Sequence, residues 1–522
     1  MTASPDAHAH SHAHSADRTP AHTAGDTPAH TPGDTPAHSP AHPPAHSPAH
    51  PPADPPARSR RWTALALICV AQFMLILDVT VVNVALPRMA ADLDLARTSL
   101  TWVVTAYTLC FGGLMLLGGR LADAFGARRT LLAGLALFTA ASLLSGLAAN
   151  APMLIGGRIA QGVGAALLSP AALSLVTTSF HGAERAKALG VWAAIGGTGS
   201  AVGVLLGGVL TDGPGWPWVF YVNVPVGLAL LVALPLVVPA RTPRPADAPR
   251  PARGLDAPGA FLVTAATGSL IYGLVQAGDT GWTSASTLLP LLGSLLLYGI
   301  FAAVERASRA PLMDLRMFTR RPVLAGSFLM LVATALLISF FFLGSVQLQH
   351  LGGFSAFTTG LVFLPVAVTT AVGAHLGSRL VGSLGPRACA TGGMAIAALG
   401  CLPLALVTPG SHPWTTLMPA LSVASLGLGA VFVTATTTAL GMIDHHEAGL
   451  ASGIVNTFHE VGGSIGVALV STTAATSIQG TTTTGFTAAF TLCAATAAAA
   501  ALAAPALVPR GKPRMTGGPH VH

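Results

Sequence analysis

The segment QFMLILDVTVVNVALP, residues 72–87, decides the fold because it is a long run of mostly aliphatic side chains. A single acid, Asp78, lies near its middle. The chain of 522 residues is 52% hydrophobic and only 9% charged, which is too apolar for an ordinary soluble domain. A helix that spans a bilayer needs about 20 mostly apolar residues. The segment therefore predicts a transmembrane helix, and Asp78 must be held there by a partner or a cavity.

The same pattern recurs along the chain as long apolar runs separated by short polar breaks. Runs of this length indicate helices rather than barrel strands, since lipid leaves no water for unpaired backbone groups. The predicted fold class is an all-α polytopic membrane protein with fourteen transmembrane helices. We place the spans, to within several residues, near 62–86, 99–119, 130–149, 151–173, 188–210, 218–238, 257–277, 285–304, 322–346, 357–378, 388–407, 414–436, 448–472 and 484–507.

The distribution of basic residues predicts the orientation. With fourteen spans both termini lie on one side, and all of the 26 Lys and Arg fall on that side except Arg88, Arg97 and Arg158. The positive-inside rule places both termini in the cytoplasm. The net charge of +7 is explained by this topology, so no nucleic-acid partner is expected. The excess of Arg over Lys is typical of a GC-rich bacterial genome, and we expect the bacterial cytoplasmic membrane.

The N-terminal tail repeats the unit Pro-Ala-His, and ten of the 19 histidines precede residue 51. Such a segment has almost nothing to bury, so we expect it to be disordered. Histidine tracts bind zinc, nickel or copper loosely, but a spacer with incidental metal affinity is the simpler interpretation. The five cysteines are scattered singly through the spans, without a metal-binding or disulfide pattern.

Known enzyme signatures do not fit this sequence. Neither lysine belongs to a GxxxxGK[ST] loop, so the chain carries no ATPase of that type. The GxSxG string at 462–466 lies inside a predicted span rather than on a strand-to-helix turn. His446-Glu447 and His459-Glu460 lack the second histidine of HExxH. We therefore expect a non-enzymatic protein without a metal or other cofactor.

An internal repeat points to duplication. GGRLADAFGARR follows the second span at 118–129, and GSRLVGSLGPR follows the tenth at 377–387. Arg120, Gly126 and Arg128 match Arg379, Gly385 and Arg387 at a constant offset of 259. Two duplicated six-helix halves with two inserted helices would give this spacing, although a bland loop can carry similar residues. The glycine predicts a tight αL turn between two helices.

Four motifs resemble one family. GGRLADAFGARR resembles the loop motif of the major facilitator superfamily, and LDVTVVNVALP (77–87) resembles the first-helix motif of its fourteen-helix drug:proton antiporter branch. GRIAQGVGAAL (157–167) and WVFYVNVPVG (218–227) are similar to that branch's motifs in the fourth helix and at the start of the sixth. The resemblance implies two six-helix bundles that rock around a central cavity and use the proton gradient to expel a substrate.

The sequence departs from the family pattern at three points. Gly199, Gly203, Gly207 and Gly208 keep the spacing of the fifth-helix antiporter motif GxxxGPxxGG, but Val204 stands where proline is expected. Ala124 replaces a basic residue of the loop motif, and Pro217 replaces an arginine.

The spans and the resemblance together predict the domain organisation. The segments are a His/Pro/Ala-rich cytoplasmic tail at 1–60, an N-terminal six-helix bundle at 61–239, a cytoplasmic linker at 240–256, two additional helices at 257–305, a cytoplasmic loop at 306–321, a C-terminal six-helix bundle at 322–507 and a cytoplasmic tail at 508–522.

Two buried charges are candidates for proton coupling. Asp78 lies eight residues before Leu86, and Arg158 lies seven after Ala151, so both are about 10 to 12 Å deep and can meet. A change in their separation would alter the affinity of the carboxylate for a proton. The alternative is a fixed ion pair that locks two helices.

The thirteenth span carries a second candidate site. Asn456, His459, Glu460 and Gly463 follow helical spacing and form one polar stripe. Glu460 is about 18 Å along the helix from residue 448, close to the midplane. A role in proton or cation binding is predicted, and the alternative is a His/Glu hydrogen-bonded pair that only joins helices.

The loop motif is a candidate gate. Asp123 lies among basic residues, so its ion pairs can latch the two bundles on the cytoplasmic side, unless the loop is simply solvated. The predicted gating residues are Gly119, Arg120, Asp123, Gly126, Arg128 and Arg129.

These observations predict a proton-coupled antiporter that exports small amphipathic, in some cases cationic, drugs or antibiotics. Its expected partners are the small-molecule substrate, protons and the lipid bilayer, and a monomer is expected. Uptake or metal-ion transport, and a polytopic sensor or membrane enzyme, are the alternatives.

Overall fold

The computed structural model describes residues 55–180, 182–238, 256–308, 311–312, 315–406, 412–440, 448–480 and 482–510. Within these ranges the chain is helical and contains no strand. Most of the predicted tail at 1–60 and linker at 240–256, and the C-terminal tail beyond residue 510, lie outside the described residues.

In the described ranges fourteen helices of at least 16 residues follow one another in the predicted order, which confirms the fold class. The structure has α1 Pro55–Asp92, α2 Arg97–Phe125, α3 Ala127–Gly146, α4 Ala151–Ser179, α5 Gly182–Asp212, α6 Trp218–Val237, α7 Ala257–Thr280, α8 Ala285–Ala307, α9 Arg321–Val346, α10 Ala356–Leu384, α11 Pro386–Cys401, α12 Leu417–Leu440, α13 Ala448–Thr473 and α14 Thr484–Leu507.

Among the described residues twelve of these helices are long and apolar enough to cross a membrane, α11 together with the 3₁₀ turn that extends its span to Ala405. The other two, α5 and α13, have 31 and 26 residues, so they too exceed the length that a bilayer requires. The polar residues Asn456, His459 and Glu460 lower the mean hydropathy of α13. The protein is therefore a multi-pass membrane protein.

Local sequence explains several helix ends. Asn150 and Ser355 accept hydrogen bonds from the backbone N–H groups of Met153 and Thr358, which caps α4 and α10. The break in α6 at Val222 precedes Pro225, whose ring removes the N–H group that would bond back to the preceding turn.

The helices pack as two six-helix halves. In the first half α2 and α3 pack on α4, and α5 and α6 pack on α1. In the second half α10 and α11 pack on α12, while α13 and α14 pack on α9. The halves meet where α2 packs on α13 and α5 packs on α10, and these two contacts are called the α2/α13 seam and the α5/α10 seam below.

The inserted helices α7 and α8 pack as a pair, with α7 against both α2 and α13. The approach is close, since a Cβ at Gly113 of α2 would lie 2.6 Å from the hydroxyl of Thr264. On the other side of the seam, Thr472 Oγ1 donates a 2.6 Å hydrogen bond to the carbonyl of Leu274. Thus α7 covers the α2/α13 seam.

The repeat identified in the sequence has a structural counterpart. At one end of the molecule, here called the arginine-rich end, Arg128 at the start of α3 donates a 3.0 Å bond to the carbonyl of Pro235 near the end of α6. Arg387 at the start of α11 donates bonds of 3.0 and 2.8 Å to the carbonyl of Val508 after α14. Each half thus has the same clamp between its third and sixth helices.

The glycines of the repeat both adopt positive φ, but the predicted αL conformation is wrong. Gly126 has φ 96° and ψ 130°, and Gly385 has φ 83° and ψ 160°. The ψ values lie far from the αL value of about 47°. An extended joint, rather than a tight turn, lets α2 end and α3 begin without overlap of their backbones, and only glycine adopts it readily.

Candidate functional site

Asp78 lies fully buried in α1 and is held by three side chains. Arg158 of α4 forms an ion pair with Oδ2 of Asp78. Oδ1 accepts hydrogen bonds from Gln161 Nε2 at 3.0 Å and from Asn223 Nδ2 at 3.2 Å. The structure therefore brings together the two charges that the sequence predicted to meet, and adds two amides.

The guanidinium of Arg158 is equally enclosed, with 1% of the residue exposed. Its Nε donates to the carbonyl of Val103 at 2.9 Å, and its Nη1 donates to Gln161 Oε1 at 3.0 Å. The ring of Tyr107 covers the guanidinium, with 4.3 Å between its centroid and Cζ, and Phe220 lies 6.0 Å away. The charge of Arg158 thus has acceptors and aromatic faces around it.

All partners of the pair belong to the first half. Gln161 also donates to Ser142 of α3 at 2.9 Å, so the network joins α1, α2, α3, α4 and α6. Within the described ranges no residue of the second half forms a hydrogen bond or ion pair with Asp78 or Arg158. A rigid-body movement of one half against the other leaves such a network intact.

The position of Asp78 along its helix differs from the prediction. α1 continues to Asp92, so Asp78 lies 14 residues, about 21 Å, from the helix end. The predicted depth of 10 to 12 Å is the distance from Asp78 to Leu86, where the apolar run stops. A helix can continue past its apolar stretch, so hydropathy does not locate its end.

The polar stripe of α13 is partly accessible. Asn456 is exposed, and the side chains of His459 and Glu460 are 40% and 14% exposed. His459 Nδ1 lies 3.4 Å from Glu460 Oε1, and the imidazole lies 5.7 Å from the ring of Phe432 on α12. Gly463, the fourth member of the stripe, is buried.

Glu460 lies at the α2/α13 seam. A Cβ at Gly112 of α2 would be 2.6 Å from the Cβ of Glu460, so the helix of the first half passes directly over this residue. Tyr107, five residues earlier on α2, lies within electrostatic reach of both Asp78 and Glu460. Its buried hydroxyl has no hydrogen-bond partner among the described residues.

The end of the α2/α13 seam remote from the arginine-rich end, here called the opposite end, is closed by Arg97. This first residue of α2 is 2% exposed. Its Nη2 lies 2.7 Å from Asp279 Oδ1 and donates to the carbonyl of Val275 at 2.8 Å, both in α7. Its Nη1 donates to Ser471 Oγ of α13 at 3.1 Å. One guanidinium thus joins the first half, the inserted pair and the second half.

The α5/α10 seam has its own polar contact at the opposite end. The carboxylate of Asp212, the last residue of α5, accepts from the N–H groups of Ala356 at 3.2 Å and Phe357 at 2.7 Å. These groups begin α10, so the acid also complements the helix dipole. A further bond joins the halves near this point, because Gln349, just after α9, donates from Nε2 to the carbonyl of Val84 on α1 at 2.7 Å. Both seams are therefore closed at this end.

The sequence did not single out Arg97, Asp279 or Asp212. The distribution of basic residues marks Arg97 only as an exception, whereas the structure buries it. The sequence does contain a signal for Arg97, because few charges lie on its side of the membrane. A charge at the end of a span needs a partner if it is buried. The partners themselves lie 182 residues apart in the case of Arg97 and Asp279.

The sequence model of the Major Facilitator Superfamily matches residues 68–467. The chain belongs to the Major Facilitator Superfamily. Membership makes it a transporter rather than an enzyme. The match begins within α1 and ends within α13, so it includes the inserted pair and all of the second half up to α13.

Two relatives of this facilitator have names that refer to resistance to an antibiotic or to its export. A puromycin resistance protein of Streptomyces alboniger is 39% identical over 83% of this chain and 83% of its own length. A cephamycin export protein of Amycolatopsis lactamdurans is 38% identical over 81% of this chain and 87% of its own.

A solved structure shares the fold of this facilitator. A bacterial homolog of the human lysosomal transporter Spinster superimposes with a TM-score of 0.59, over 87% of this chain and 96% of the other, at 17% sequence identity. That identity supports the architecture alone.

The loop motif of the facilitator lies at the arginine-rich end. Arg120 donates a 2.8 Å bond to the carbonyl of Pro311, in the loop before α9, so it reaches from the first half toward the second. Arg128 forms the clamp inside the first half. Gly119 lies within α2, while Asp123, Gly126 and Arg129 are exposed. The predicted ionic latch through Asp123 stays a prediction.

The glycines of α5 allow close approach of three helices. Gly199 faces Ile76, Gly203 faces Thr80 and Gly207 faces Val81, all on α1, while Gly208 lies against Phe357 of α10. Val204, which replaces the family's proline, is fully buried, and its carbonyl approaches Gly360 of α10. Valine retains the N–H group that proline would remove, so α5 continues through this point.

No group of three His, Cys, Asp or Glu side chains in the described part of the chain is arranged to hold a metal ion. The histidines before residue 51 lie outside that part.

Proposed function

We propose that this facilitator exports small amphipathic, in some cases cationic, antibiotics or drugs in exchange for protons, by alternating access. The names of its relatives support the cargo. The observation that carries proton exchange is the position of Glu460, a partly accessible carboxylate at the seam between the halves. The arginine-rich end faces the cytoplasm in this proposal, with both termini on that side, in the bacterial inner membrane.

Antiport follows if the proton and the cargo exclude each other at Glu460. The ionised carboxylate attracts a cation in a cavity of low dielectric constant, and the protonated acid does not. A proton that binds from outside thereby lowers the affinity for cargo, and cargo that binds from inside favours proton release. His459, at 3.4 Å from Glu460, is placed to receive or relay that proton.

Glu460 is a better candidate for this exchange than Asp78. The surroundings of Glu460 come from both halves and change when the halves move. Asp78 is fully buried, and its three donors lie in one half. This supports the interpretation of Asp78 and Arg158 as a fixed pair that holds the first half in shape.

Outward opening requires the contacts at the opposite end to break. The bonds of Arg97 to Ser471 and of Asp212 to the start of α10 cross between the halves, so they form the gate on that side. Each proton that crosses with a potential of 100 mV supplies about 2.3 kcal/mol, enough for roughly a fiftyfold gradient of a neutral cargo. A monomer suffices for this cycle.

Radiolabelled puromycin uptake into inverted vesicles tests the proposal. Vesicles with the wild-type protein should accumulate unchanged puromycin when a proton gradient is imposed, and collapse of the gradient should abolish accumulation. Accumulation that survives the collapse would exclude proton coupling. Vesicles without the protein provide the background.

Glu460→Gln tests the assigned residue, with Asp92→Asn at the exposed end of α1 as the matched control. The Gln variant should lose uphill uptake and bind puromycin more weakly, because glutamine resembles the protonated acid. Normal uphill uptake with unchanged puromycin affinity would show that Glu460 does not couple transport to protons.

A further inference from the structure

A cavity of about 680 Å³ opens at the arginine-rich end of the second half. It lies between the start of α11 and the end of α14, outside the seams where the cargo is proposed to bind. Its wall includes Arg387 and Thr391 from α11 and Pro505, Pro509 and Arg510 from the end of α14. The cavity is therefore at the level where the membrane meets water.

Arg387 is fixed at this wall. Its Nε and Nη2 both bind the carbonyl of Val508, which leaves Nη1 with no acceptor among the described residues. The hydroxyl oxygen of Thr391 is buried and likewise has no partner in that part of the chain. Buried polar groups are normally paired, so these two groups call for an acceptor. Arg510 adds an exposed guanidinium at the rim.

The two arginines are not neutralised by the protein. No carboxylate within the described ranges lies within 4.0 Å of either guanidinium. Arginine forms paired hydrogen bonds with phosphate oxygens in preference to most other acceptors. The chemistry of the cavity thus suits a phosphate group.

An apolar strip continues from the cavity along the outside of the helices. Gly392 lines the cavity, and Ile396 and Leu399 follow on the same face of α11 with 38% and 62% exposure. Leu502 of α14 is 81% exposed, three residues before Pro505. In a membrane protein such a strip faces lipid chains.

We propose that this cavity binds the phosphate of an anionic phospholipid, whose acyl chains lie along the strip on α11 and α14. The assignment needs only the membrane location and the arginines, and it does not depend on drug export or proton exchange. The bound lipid would bridge the start of α11 to the end of α14, the two elements that the Arg387 clamp already joins.

Native mass spectrometry of the delipidated full-length protein tests this site. Phosphatidylglycerol should bind at least tenfold more tightly than phosphatidylcholine with the same chains. Arg510→Gln should weaken phosphatidylglycerol binding about fivefold, the effect of one interfacial arginine. Arg321→Gln, an exposed arginine at the start of α9, should leave it unchanged.

Thr391→Val provides a second variant that keeps the shape of the side chain, and it should also weaken phosphatidylglycerol binding. Millimolar inorganic phosphate should not displace the lipid, because it lacks the contacts with the strip. Equal affinity for the two lipids, equal effects of Arg510→Gln and Arg321→Gln, or displacement by phosphate would each overturn the assignment to a lipid. Unfolding temperatures of all variants identify a general loss of structure.

Discussion

Replacing Asp78 alone should destabilise the protein more than replacing Asp78 and Arg158 together. Asp78→Asn removes the acid that pairs with Arg158, the only such acid among the described residues, and offers one acceptor where the carboxylate offered two. A buried charge that loses its partner costs about 3–5 kcal/mol. Arg158 keeps the carbonyl of Val103 and the amide of Gln161 as acceptors, so we expect a loss of about 3 kcal/mol.

The double variant Asp78→Asn/Arg158→Gln removes both charges and leaves a network of amides and hydroxyls. It should recover at least half of that loss, since no unpaired charge remains. About 3 kcal/mol corresponds to roughly a 150-fold change in the folding equilibrium. Unfolding of the purified variants in mixed micelles of increasing sodium dodecyl sulfate content, followed by tryptophan fluorescence, measures the difference.

Asp92→Asn is the matched control, because this acid is exposed at the end of the same helix and should change stability by no more than about 0.5 kcal/mol. A single Asp78 variant as stable as the wild type, or no more perturbed than the double variant, would refute the fixed-pair interpretation.

Three further substitutions address the seams and the loop. Asp279→Asn weakens the contact with Arg97 that closes the opposite end. In this variant a reporter cysteine, Thr101→Cys, should react several-fold faster with an impermeant maleimide than in the Thr101→Cys protein alone. An unchanged labelling rate contradicts the proposed gate. Gly112→Ala puts a Cβ 2.6 Å from the α13 glutamate and should lower puromycin uptake at least tenfold, whereas Gly156→Ala, with no atom within 4 Å, should not. Gly126→Ala should cost about 1–3 kcal/mol in the same unfolding assay, because φ is 96°, while Gly156→Ala is neutral or stabilising.

Hydropathy was sufficient to predict the helices because lipid admits few other structures. The contact of Asp78 with Arg158 was also predictable, since charges inside spans are rare and each needs a partner. Gln161 and Asn223 were not predicted as partners, although both lie in the quoted motifs. An amide bonds to many groups, so its partner depends on how each helix is rotated, and the sequence does not specify that rotation.

The contacts that close the opposite end could not be predicted for a related reason. Arg97 meets Asp279 only because α7 docks on the α2/α13 seam, and no periodicity in the chain encodes where an inserted pair docks. The glycine of the loop was half predictable: the pattern required positive φ at Gly126, while ψ depends on the angle between α2 and α3.

The matching clamps of Arg128 and Arg387 fasten the last helix of each half to its third. Such a clamp keeps the helices of one half from sliding past each other. Movement is then concentrated at the seams between the two halves. Under the proposed proton exchange, a change of charge at Glu460 would therefore move one half relative to the other as a rigid body.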